Sequence, residues 1–167
     1  YLSTAQIGAI SSVGVAGLTT DDIATFAPTD LAAMNTRALA ALSTDNFAAL
    51  TSTQLAGMTT TQVAALTTAQ IGVLTTDDID GLTPGQAGAL TSAQIAAMST
   101  DNLASFSTDQ IAALSSRVFS SLSSGQVTAL STDQIDVLSS GQLALLSTAA
   151  IGGLETADMA TFSSDEL

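Results

Sequence analysis

Large apolar residues occupy every eighth position of this chain, from Leu2 through Ile10, Leu18, Phe26 and Met34 to Leu154 and Phe162. A second apolar series keeps step five residues later, from Ile7, Val15 and Ile23 to Ile151, Met159 and Leu167. Each series has 21 members and no polar residue interrupts either, so the chain divides into octads without a slip. A fixed short period is the mark of a solenoid or array, in which each unit packs on its neighbours.

One octad, Leu66-Thr67-Thr68-Ala69-Gln70-Ile71-Gly72-Val73, shows what the polar positions do. Ser or Thr follows the first apolar residue in 18 of 21 octads, which is the residue type preferred as a helix N-cap. Gln, Asp, Asn or Glu stands three residues after that cap in 17 of 21, and with Gln or Glu the spacing is a capping box. The apolar residues on either side form the hydrophobic-staple pair. Both prolines, Pro28 and Pro84, fall at the first helical position, where a missing N–H costs nothing. Each octad therefore begins a helix of its own.

A single continuous helix does not fit the period. Eight residues turn through about 800°, so the apolar stripe would drift by about 80° per repeat and wrap around the rod. Strands need a period of two, which is absent. The pattern predicts an all-α solenoid of about 21 short capped helices, one per octad, each about seven residues and roughly 10 Å long. Small residues after the second apolar position, such as Ala48-Ala49, Ala64-Ala65 and Gly152-Gly153, allow close helix approach. No octad this short folds alone, so stability must come from stacking. Two octads per turn and three octads per turn agree equally with the period. Fainter similarity recurs at seven octads (Thr19-Thr20-Asp21-Asp22-Ile23 against Thr75-Thr76-Asp77-Asp78-Ile79) and at ten octads (Arg37 and Arg117).

Charge narrows the partners. The 167 residues carry 15 acids, two arginines, no Lys, no His and no Cys, for a formal net charge of -13. A nucleic-acid binder needs a basic face, and an anionic membrane surface attracts one, so neither partner is expected. No apolar run reaches the roughly 18 residues of a membrane span. Residues 1–167 read as one repeat domain, a slice of a longer array or a unit that stacks end to end on copies of itself.

Candidate chemistry is sparse. Without His, Cys or Lys most nucleophile and base arrangements are excluded, and no enzyme and no resident cofactor are expected. Twelve of the 15 acids lie at the second or third helical position (N2, N3), where they complement the positive end of the helix dipole. Asp77, Asp78 and Asp80 cluster, and carboxylates with carbonyls are what calcium takes, so they are the candidate metal ligands. Arg37 and Arg117 break the rule at N2, and their octads also lack the polar N3 residue, having Ala38 and Val118 instead. Two local rules broken together suggest an outside reason, and these arginines are the candidate interface residues, pairing with acidic rims of neighbouring chains or turns.

The octads Leu66 to Leu74 and Leu130 to Leu138 resemble octapeptide-type repeats of very large, acidic, cysteine-free bacterial secreted proteins, labelled adhesins, haem-utilisation or RTX-like proteins. The resemblance spans essentially the whole chain and implies an extracellular or cell-surface location. It does not bring haem binding with it, since His is absent and Met34, Met58, Met98 and Met159 take core positions. Leu82-Thr83-Pro84-Gly85-Gln86-Ala87 resembles the first-helix opening of TAL-effector repeats, but the longer period and basic residues of those DNA binders are missing. The leading expectation is a structural fibre, filament or adhesin stalk; the alternative is a calcium- or glycan-binding surface module.

Overall fold

The structure is a computed structural model, and the residues described are 2–159. Among these residues are 19 α-helices and one 3₁₀ helix, one per octad, and no strand. The last octad, including Leu167, lies outside them. Each octad is built alike. The cap residue is extended, with ψ near 155°, and the helix runs from N1 to the second apolar position or one or two residues past it. The helices have four to six residues, shorter than the seven the period suggested. Their last turn tightens, as in Ala65 N–H to Gln62 O (3.1 Å) and Leu66 N–H to Val63 O (3.2 Å), so the next apolar residue already stands at a corner. Among the described residues none has positive φ. The second octad departs from α geometry: Gly14 and Gly17 disfavour a helix, and only the 3₁₀ helix Gly14–Gly17 forms.

Helices pack on the helix three octads away, which sets the turn of the superhelix at three octads. Three columns result. The first stacks α1 (Thr4–Gly8), α3 (Pro28–Ala33), α6 (Ser52–Ala56), α9 (Thr76–Asp80), α12 (Thr100–Ala104), α15 (Ser124–Thr128) and α18 (Thr148–Ile151). The second stacks the 3₁₀ helix, α4 (Thr36–Ala40), α7 (Thr60–Ala64), α10 (Pro84–Gly88), α13 (Thr108–Ala113), α16 (Thr132–Asp136) and α19 (Thr156–Met159). The third stacks α2 (Thr20–Ala24), α5 (Thr44–Ala48), α8 (Thr68–Ile71), α11 (Ser92–Ala96), α14 (Ser116–Phe119) and α17 (Ser140–Leu143).

The two apolar series form one continuous core but look in opposite directions along the axis. The second series is at most 1% exposed from Ile7 to Ile135, then opens at Ile151 (49%) and Met159 (45%). The first series begins open at Leu2 (50%) and is buried from Met34 onward until Leu146. The second series is thus covered by the turn that follows, and the first lies on the turn that precedes. Small residues let the turns meet. A Cβ at Gly57 would lie 2.5 Å from Cβ of Pro28, and one at Gly88 would lie 2.6 Å from the carbonyl oxygen of Ala113, one turn away in each case. Among the described residues no helix is long and apolar enough to cross a membrane.

Candidate functional site: the inter-turn glutamine ladder

The N3 side chain does two jobs. Its first is local and follows from the octad. Gln62 Oε1 accepts from the backbone N–H of Thr59 (2.7 Å), while Thr59 Oγ1 accepts from Gln62 N–H (3.2 Å), completing the capping box. That leaves the amide group, which is buried at 3% exposure and must find acceptors. It finds them one turn away. Gln62 Nε2 donates to the carbonyls of Leu31 (2.6 Å) and Met34 (2.7 Å), at the corner where α3 ends and α4 begins. The Met34 carbonyl is one that the end of a helix leaves without a partner, while Leu31 O also accepts from Met34 N–H (3.1 Å).

The same bond recurs along the superhelix. Gln54 reaches Ile23 and Phe26, Gln70 reaches Leu39 and Leu42, and Gln86 reaches Leu55 and Met58. Gln94 reaches Val63 and Leu66, Gln110 reaches Ile79 and Leu82, and Gln126 reaches Ile95 and Met98. Gln134 and Gln142 continue the ladder to Phe106 (2.6 Å) and Leu114 (3.0 Å). The two acceptors of each amide come from the third and fourth octads before the donor's own. No buried side-chain nitrogen or oxygen among the described residues lacks a partner.

Shorter and charged side chains show what the job requires. Asn46 and Asn102 reach only the nearer carbonyl, Leu18 (2.7 Å) and Leu74 (2.9 Å), and they make no capping box. Asp78 makes the capping box but, as an acceptor, brings no donor to the turn below, and Asp22 makes the same box in the first turn. Asp22 is held below the usual carboxylate range by the backbone N–H of Thr19 (2.9 Å), and further by the Thr19 hydroxyl (2.7 Å).

The sequence candidates take their places on this frame. Asp77 and Asp80 are exposed and Asp78 is half-buried on α9. Asp78 turns back to its own cap, with Oδ2 accepting from Thr75 N–H (3.0 Å) and Oγ1 (2.7 Å), and it does not join its neighbours. Among the described residues no group of three or more acidic, His or Cys side chains is placed to hold a metal ion. Arg37 and Arg117 are both exposed. They are ten octads apart, and so fall in different columns. In the Arg37 octad the missing N3 amide has an internal substitute: the cap Asn35 accepts from Ala38 N–H (2.9 Å) and donates to the carbonyls of Ile10 (2.7 Å) and Gly8 (3.3 Å). Ala38 then fills buried space at 0% exposure. In the Arg117 octad Val118 and Phe119 are buried, and hydroxyls bridge the turns instead, Ser92 Oγ to Arg117 O and Ser121 Oγ to Ser92 O, both 3.2 Å. The missing N3 amides of these octads thus have replacements inside the fold, while the two exposed arginines at N2 take no part in them.

Reading each octad locally finds the box and misses the ladder. The signal was the preference for Gln at N3, since Asp and Asn cap as well but cannot do both jobs.

A family model described as the ALTTAQ repeat matches residues 23–60, 56–92, 84–116 and 119–148, which together make up most of the chain. No curated protein is significantly similar to it.

Proposed function

The chain belongs to the ALTTAQ repeat family, and from that premise we propose that it is an extracellular structural module, the shaft of a fibre, filament or adhesin stalk. Its work is to hold a stiff superhelical shape and to pass axial load from turn to turn. The observation that carries this reading is the glutamine ladder. Interior turns donate amides to the turn before and offer corner carbonyls to the turn after, so the inter-turn interface is heterologous and does not close. Such an interface is extended by further octads of the same design, from the same polypeptide or from a second copy. The extracellular setting rests on the resemblance of the octads to repeats of acidic, cysteine-free secreted proteins.

Negative-stain electron microscopy with light scattering on the purified chain tests the proposal. Rods of uniform width that lengthen with concentration are the expected result. A monomer at all concentrations, whose melting temperature rises with calcium or a surface glycan, would move the assignment to a ligand-binding module.

A further inference from the structure

We propose that the superhelix carries a hinge at its tenth octad, between α6 and α9, where Asp78 stands in place of the inter-turn amide. A short side chain at N3 serves either its cap or the turn below: Asn102 reaches Leu74 O, while Asp30 accepts from its cap, Ala27 N–H. Asp78 serves the cap. The Leu50 carbonyl is in the register that Asn102 fills at Leu74, and Asp78 has no proton to give it. The one side-chain bond from Asp78 to the turn below runs the other way, from Ser52 Oγ to Asp78 Oδ1 at 3.2 Å.

Past the first turn three octads have neither an amide nor a carboxylate at N3, and other groups take the place: in the fifth, the cap Asn35 donates to Ile10 O at 2.7 Å. Val118 and Phe119 are buried at 1% and 0% exposure, with the Ser92 and Ser121 hydroxyls bridging the turns. Ala150 is buried at 0%, and Thr128 Oγ1 donates to Gly153 O at 3.2 Å. Asp30 also puts a carboxylate at N3, one turn from the start of the described residues; Asp78 does so in mid-superhelix, with three turns on either side.

The hinge has a direction. The C-terminal corner of α9 is held from above by Gln110, whose amide takes the carbonyls of Ile79 (2.9 Å) and Leu82 (2.6 Å). In the flanking columns Gln70 and Gln86 still bind the turn below. Opening therefore separates α6 from α9 on one side while the other two columns act as the pivot, and the shaft bends at this point.

Amide hydrogen exchange followed by NMR on the whole chain tests the hinge, whatever the location of the protein. In the wild type the Ile79 amide should exchange about tenfold faster than those of Leu55 and Val127, which hold the same position in the same column above a Gln at N3. Asp78→Gln should bring Ile79 to within about threefold of both, and Asp78→Asn should recover part of that protection. Equal protection of Ile79, Leu55 and Val127 in the wild type would overturn the proposal, and so would an Asp78→Gln chain in which Ile79 exchanges as before.

Discussion

A glutamine at N3 spans two distances at once because its carbonyl and amide ends can face different partners. In Gln86 the oxygen accepts from Thr83 N–H (2.8 Å) and the nitrogen donates to Met58 O (2.8 Å). Replacing it with Leu keeps most of the volume but takes the donor from the Met58 carbonyl, leaves Leu55 O with the Met58 N–H alone (3.0 Å) and strips the Thr83 cap of its acceptor. The expected loss is about 2–4 kcal/mol, read from chemical denaturation. Thr61→Ala, at an exposed N2 position, should change stability by less than about 0.5 kcal/mol. Similar losses for both would remove the ladder from the account. Asp22 gives a pH test. Its carboxyl is lowered by the bonds from Thr19, so its capping contribution is complete above the ordinary Asp value and is lost as pH falls through the lowered one. The Thr19 amide shift should therefore titrate at lower pH than in an unstructured peptide of the same sequence. An equal or higher midpoint would contradict the capping box at α2. At this scale the cap was legible in the sequence, because both partners lie within one octad. The destination of the amide was not, because it lies three to four octads away and every octad offers much the same acceptors.

Short helices with extended corners explain why small residues follow the second apolar position. They lie where the next or preceding turn comes closest. Gly57→Ala places a methyl 2.5 Å from Pro28 Cβ and 2.9 Å from its carbonyl oxygen, so α3 and the end of α6 must part. This should cost about 1–3 kcal/mol. Gly125→Ala on α15 meets nothing within 4 Å and should gain about 0.4–1 kcal/mol by limiting the unfolded chain. Thermal melts that moved the two variants in the same direction would mean that the turns are not packed as described. Octad boundaries and helix type were readable from caps and prolines. Helix length was overestimated because the tightened last turn returns the first apolar residue to the corner. The second octad became a 3₁₀ helix because a pair of closely spaced glycines weakens an already minimal helix.

Over the whole molecule the octad, not the turn, is the unit of equivalence. The faint sequence echoes lie seven and ten octads apart, and neither is a whole number of three-octad turns. Period eight alone left two and three octads per turn open, since only contacts between columns separate them. Deleting one octad, residues 82–89, should therefore leave a folded superhelix shorter by a third of a turn, with circular dichroism per residue unchanged. Deleting half an octad, 82–85, would set the wrong series against the core and should abolish the cooperative melt. The central claim is the three-octad turn closed by side-chain amides. NMR scalar couplings across hydrogen bonds test it most directly, measured from Gln62 Nε2 to the carbonyl carbons of Leu31 and Met34. Couplings to both residues are predicted. A Gln62 amide coupled to carbonyls two octads back, or one exchanging freely with water and coupled to none, would contradict the account.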